Sequence, residues 1–219
     1  MEKIIEACAD LDYSWLEKQI GDFTLHIDQC EVPLGYGLFH YENPLGWRWE
    51  ALYDKEVEDY SVRIVMPLFE YVDISFVRDN IKDFWRDLPR RYIKEITNTF
   101  IEPQRNFDYT YRKKGIPDWK YESCLPERIG NFFLDVTPDT GIRMINGSYI
   151  IIEYRKESDK SGLIVFFNIF RDEFFAELRV HNYPQIDHHL DAQTIPELEE
   201  NLKEHLLTIL NNLERKLQN

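Results

Sequence analysis

Gly21-Asp22-Phe23-Thr24-Leu25-His26-Ile27-Asp28 finds a weak echo 109 positions later in Gly130-Asn131-Phe132-Phe133-Leu134-Asp135-Val136-Thr137. Two further echoes follow in the same order. Tyr53-Asp54-Lys55-Glu56 reads against Tyr154-Arg155-Lys156-Glu157, and Ser61-Val62-Arg63-Ile64-Val65 against Ser161-Gly162-Leu163-Ile164-Val165. Each series ends ahead of a helix-like pattern, and ordered recurrence of this kind is the mark of a repeated unit. The expectation is an α+β fold of two related antiparallel meander-plus-helix units. Their sheets are expected to be adjacent or continuous, with a helix covering one face of each.

Apolar periodicity fills in the outline. Ile4, Ile5, Cys8 and Leu11 recur at helical spacing, and Gly21 is suited to ending an N-terminal helical segment. In the first unit Phe23, Leu25 and Ile27 alternate with polar residues, as do Trp47, Trp49, Ala51 and Tyr53, which is strand spacing. Residues 32–44, rich in Gly and Pro, read as a loop. From Ile74 onward the spacing predicts a helix that Pro89 kinks or divides. In the second unit, strands are expected at 132–136, 149–155, 163–170 and 174–180. Thr194-Ile195-Pro196-Glu197 combines a capping hydroxyl, a first-turn proline and a glutamate three residues after the cap, which together open a helix. Leu198, Leu202, Leu206, Ile209 and Leu213 form its apolar stripe. The expected organisation is a helical segment at 1–20, a first unit at 21–100, an aromatic, proline-containing connector at 101–129 and a second unit at 130–219.

Charge is the strongest compositional signal. Forty Asp and Glu against 26 Lys and Arg give a net −14. Residues 21–72 carry 3 basic groups against 10 acidic, and 130–219 carry 9 against 15, whereas 73–129 carry 12 against 10. Such a field repels phosphate backbones and anionic membrane surfaces and attracts basic proteins. No apolar run approaches the length of a spanning helix. The three cysteines, Cys8, Cys30 and Cys124, have no metal-binding or redox spacing. Acids in Met1-Glu2-Lys3-Ile4-Ile5-Glu6 interrupt what would be the apolar core of a signal peptide. The expected location is cytoplasmic.

Residues that carry chemistry are few. Asp187-His188-His189-Leu190-Asp191, with His181 upstream, holds metal-ligand and acid-base types without a helical HxxxH spacing. No nucleophile elbow and no complete phosphate-binding glycine pattern occurs. The sequence therefore points away from catalytic residues, metals and cofactors. It favours a non-enzymatic acidic protein-binding module, most concretely an intracellular inhibitor or immunity protein neutralising a basic toxin such as a nuclease. The expected partner-binding residues are Asp54, Glu56, Glu58 and Asp59 in an acidic hairpin turn, with Tyr36 and Tyr41 in the adjoining loop. Glu157 and Asp159 form the corresponding turn of the second unit. The alternatives are a metal-assisted hydrolase using Asp187, His189 and His181, and a structural or oligomeric component.

Overall fold

A computed structural model describes residues 1–156 and 158–218. The fold is α+β, with two separate antiparallel sheets, and the chain divides into compact units at Met1–Thr97 and Asn98–Asn219. Glu157, one of the expected acidic turn residues, lies outside the described residues.

The first unit opens with α1 (Glu2–Ala9) and continues through β1 (Gln19–Ile20), β2 (Phe23–Val32), β3 (Gly35–Glu42), β4 (Arg48–Asp54), β5 (Asp59–Val65) and β6 (Glu70–Arg78). The strands pair in chain order as a six-stranded meander. Trp49, Ala51, Val62 and Ile64 sit opposite one another across β4 and β5 and are buried. Helix α2 (Ile81–Asp87) packs on β5 and β6, and a 3-10 turn (Leu88–Arg90) leads into α3 (Tyr92–Ile96). Asn80 caps α2 by accepting the Asp83 N–H at 2.9 Å. Pro89 divides the helical stretch as the sequence predicts, because its ring removes a donor and clashes with the preceding turn. The stretch starts later than predicted, however. Residues 74–78 belong to β6, whose backbone is committed to pairing with β5.

The principal correction concerns 32–44. Most of this expected loop is β3, an interior strand paired on both sides. Its glycines are there for strand packing. A Cβ on Gly35 would sit 2.1 Å from the Tyr53 carbonyl oxygen, and one on Gly37 would sit 3.1 Å from the Asp28 Cβ.

The second unit begins with short helices: a 3-10 turn (Pro103–Asn106), α4 (Tyr109–Lys114) and two further 3-10 turns (Ile116–Asp118, Tyr121–Ser123). Asp108 caps α4 through the Tyr111 N–H at 2.9 Å, and Gly115 ends it at φ +82°. These residues are built into the core of this unit, with Phe107, Tyr111, Ile116, Trp119 and Leu125 all buried in it. The Tyr111 hydroxyl donates to the Pro138 carbonyl at 2.6 Å, and Tyr154 to that of Pro126 at 2.6 Å.

The second sheet comprises β7 (Arg128–Ile129), β8 (Phe132–Val136), β9 (Ile142–Arg143), β10 (Ser148–Lys156), β11 (Gly162–Asn168), β12 (Glu173–Val180) and β13 (Tyr183–Ala192). Its order is β13-β12-β11-β10-β8-β7, with β9 beside β10. The 23-residue helix α5 (Ile195–Leu217) packs on β11, β12 and β13 through the predicted leucine stripe. Thr194 Oγ1 accepts the Glu197 N–H at 3.3 Å, and Glu197 returns a carboxylate to the Gln193 N–H at 2.7 Å.

The internal duplication is not confirmed. Gly21 and Gly130 do occupy matching two-residue turns, at φ +60° and +58°, followed by the pairs Ile20–Phe23 and Ile129–Phe132. The other echoes fall out of step. Tyr53 and Ile64 lie on the fourth and fifth strands of their sheet path, whereas Tyr154 and Ile164 lie on the third and fourth. The displacement follows from β3, an additional strand formed where glycine and proline predict a loop.

Candidate functional site

One end of the first sheet gathers carboxylates. Asp54 pairs with Asp59 to close the β4–β5 ladder, and residues 55–58 turn beyond it. Asp54 Oδ1 accepts the Glu56 N–H at 2.9 Å, an aspartate turn that orders the tip. Glu58 adopts φ +59°, the left-handed conformation uncommon for a residue with a side chain. Lys55 N–H donates to the Leu34 carbonyl at 2.9 Å, and Gly35 pairs with Asp54. The β2–β3 turn is thereby fixed alongside, and it brings Glu31 to the same end of the sheet. Glu31, Glu56 and Glu58 are exposed, Asp54 and Asp59 are half-buried, and Val57 projects at the tip with 64% of its surface exposed. Among the described residues none of these five carboxylates forms an ion pair. Their field registers on Tyr53, whose phenol is pushed up first by its partial burial and then by the charges of Glu58, Asp59 and Asp54.

Tyr36 and Tyr41 do not join this surface. Both are buried, Tyr41 completely, because β3 is an interior strand of the sheet and not a loop. The Tyr41 hydroxyl donates to the Glu17 carbonyl at 2.7 Å and its ring packs near Phe39 and Tyr92. Their expected role in partner contact is corrected to one in the core.

The histidine-rich segment is strand β13. Asp187 Oδ1 lies 2.9 Å from His189 Nδ1 and accepts the His189 backbone N–H at the same distance. His188 turns the other way, its Nδ1 2.7 Å from Asp191 Oδ2. His181 and Asn182 form the tight β12–β13 turn, at φ +49° and +69°. Six residues of extended chain, about 20 Å, separate that turn from Asp187. The expected trio of Asp187, His189 and His181 is therefore not assembled. Among the described residues no three His, Cys, Asp or Glu side chains are grouped to hold a metal ion.

Two features escaped the sequence reading. His205 of α5 brings its ring to 5.1 Å from that of His189. Its position between Leu202 and Ile209, three and four residues away, marks it as flanking the apolar stripe, and that signal was available in the sequence. The second is Glu153, fully buried on β10 and, among the described residues, with no hydrogen-bond partner for either oxygen. Its neighbours Ile152 and Tyr154 join the core beneath α5, so Glu153 lies on the opposite face of the sheet. Burial, reinforced by the charge of Asp135 and opposed by Arg155 and Arg179, pushes its carboxyl up to about 8. Strand periodicity alone reads such a position as solvent-facing.

The two buried cysteines, Cys8 and Cys124, offer no activated thiol. Burial raises Cys8, and it pushes Cys124 up to about 11, which disfavours the nucleophilic thiolate. Among the described residues no helix is long and apolar enough to cross a membrane. No protein-family model matches the chain, and no curated protein and no solved structure is detectably similar to it.

Proposed function

We propose that this chain is a non-enzymatic, acidic protein-binding module that engages a basic partner through the hairpin end of its first sheet. The observation that carries this reading is the set of five carboxylates, Glu31, Asp54, Glu56, Glu58 and Asp59, without ion-pair partners among the described residues. A sheet end fixed by backbone pairing holds its charges at defined spacing, so little order has to be imposed when a complementary surface arrives. Clustered charge of one sign steers encounter and can raise association rates by roughly 10- to 1,000-fold at low salt. Val57 at the tip supplies an apolar contact inside a charged rim, the arrangement of an interface core with polar surroundings.

The concrete form of the proposal is an intracellular inhibitor or immunity protein that covers the cationic substrate-binding surface of a toxin such as a nuclease. Clustered carboxylates compete for the lysines and arginines that hold a nucleic acid backbone. The test is co-elution of the chain with a basic nuclease on size exclusion, followed by association kinetics at rising ionic strength. Binding that weakens with salt, and that is lost in Asp54→Lys/Glu56→Lys/Glu58→Lys/Asp59→Lys, supports the reading. Equal binding by the charge-reversed protein refutes the assignment of this hairpin.

A further inference from the structure

We propose that a cavity between β12, β13 and α5 binds a small organic anion, a carboxylate or phosphate monoester bearing an apolar group. The cavity has a volume of about 420 Å³ and lies wholly within the second unit. That volume suits a ligand of modest size, since small-molecule sites fall at roughly 300–1,000 Å³. Its floor is apolar, formed by the buried side chains of Leu178, Ile209 and Leu213. Its rim is polar and predominantly basic, with Arg215 and Lys216 from the last turn of α5 and the rings of His189 and His205. An apolar floor with a few convergent polar groups is what orients a ligand having one charged and one greasy end.

Charge decides the sign of the ligand. Residues 98–219 carry 20 acidic and 15 basic groups, so this unit is acidic as a whole. The cavity reverses that balance. Among the described residues Asp187 is the one carboxylate lining it, beside the cations of Lys216 and of Arg215, the latter already engaged in an interaction of its own. Asp187 is also engaged already, because its Oδ1 accepts the His189 backbone N–H and faces His189 Nδ1, both at 2.9 Å. That double contact fixes the imidazole and turns its Nε2 away from the carboxylate. Lys216 is held in place by the Gln185 side-chain oxygen at 3.3 Å. Bases in a final helical turn are favoured by the helix dipole whether or not a ligand exists. What sets this pair apart is that both line one apolar-floored cavity together with His189 and His205. Thr208 and Asn212 on the same helix face add neutral hydrogen-bonding groups to the wall.

The test is titration of the isotopically labelled full chain with phenyl phosphate, benzoate and the neutral benzyl alcohol, followed by amide and imidazole resonances. The expected result is saturable shifts centred on Leu178, Asp187, His189 and Leu213 with either anion. Binding should weaken at least tenfold in Arg215→Gln/Lys216→Gln, both being exposed positions. A preference for phenyl phosphate over benzoate, or the reverse, identifies which anion the site favours. Equal binding of benzyl alcohol, or the absence of saturable shifts with both anions, overturns the proposal. Those comparisons use the unmodified chain, so they stand even if the double variant is destabilised. The hairpin of the first unit contributes nothing to this experiment, so its failure would leave the partner-binding reading untouched.

Discussion

Asp135 and Glu153 stand on neighbouring strands of the second sheet, and the negative charge of the first helps keep the proton on the second. Asp135 accepts a hydrogen bond from Arg155, and Glu177 pairs with Arg179 at 2.8 Å. The two carboxylates and two guanidiniums of these pairs balance. Glu153 completes the group without upsetting it only as a neutral acid. Burial is the larger cause of its retained proton, and the charge of Asp135 adds to it.

This arrangement predicts a specific pH dependence. Burial holds the Glu153 carboxyl up to about 8 in the folded chain, against 4.5 for a free glutamate. Between those two values the folded state binds the proton and the unfolded state does not. Folding is therefore best supported below about pH 4.5 as far as this residue is concerned, and that support is lost as pH rises through 8. Glu153→Gln, neutral at every pH, should flatten this part of the profile and stabilise the protein at pH 9 by on the order of a few kcal/mol. Urea unfolding of both proteins at pH 5, 7 and 9 measures it. Parallel profiles would mean that Glu153 is ionised in the folded state.

Strand β3 and the turn that follows it supply a second prediction, through the different reasons for two glycines at opposite ends of the β3–β4 pair. Gly35→Ala drives a Cβ into the Tyr53 carbonyl, a backbone atom that cannot give way without disturbing the β3–β4 pairing. The expected cost is roughly 1–3 kcal/mol or more, as for overpacking elsewhere. A Cβ on Gly46 meets nothing within 4 Å, but the residue sits at φ +78°. Gly46→Ala should therefore cost about 1–2 kcal/mol, the left-handed penalty alone. Thermal unfolding of the two variants separates steric collision from conformational strain.

The same strand explains what could be read in the sequence and what could not. Glycine near proline is a turn signal when only neighbours along the chain are considered. Gly35 and Gly37 instead answer to Tyr53 and Asp28, residues on other strands, and that requirement has no local signature. Tyr36 and Tyr41 were misplaced for the same reason. The segment 101–129 was opaque because its helices run six residues or fewer and are punctuated by prolines, so no apolar period develops. Helix α5 was legible throughout, since its cap, its first-turn proline and its leucine stripe all agree. Of the candidate sites, the acidic turn was visible because a hairpin tip is local. The His189–His205 approach joins a strand to a helix and depends on packing.

Helix α5 should show this agreement energetically. Leu202→Ala removes a side chain that is 1% exposed at the centre of the stripe, and Leu→Ala at such sites costs about 2–5 kcal/mol. Leu207, 60% exposed on the same helix, should change stability by no more than about 0.5 kcal/mol when replaced by alanine. Thr194→Ala should fall between them at about 1 kcal/mol, the worth of an N-cap. Chemical denaturation of the three variants gives the order directly. Equal losses for Leu202 and Leu207 would contradict the packing of the helix on β11, β12 and β13.

The acidic hairpin can be probed without a partner, through Tyr53. Its phenol is raised by partial burial and then by Glu58, Asp59 and Asp54 in that order. Neutralising Glu58→Gln and Asp59→Asn removes the two larger charge contributions while leaving the burial in place. The Tyr53 titration midpoint should fall toward that of a free tyrosine without reaching it, followed by the ring-carbon resonances as pH is raised. Added salt should produce a smaller fall in the unmodified chain, because exposed charges are screened over about 8 Å at physiological ionic strength. The doubly neutralised chain should be nearly insensitive to salt by comparison. If neutralisation and salt both leave the midpoint unchanged, burial alone sets it. The turn would then exert too weak a field at Tyr53 to be the source of long-range attraction for a basic protein.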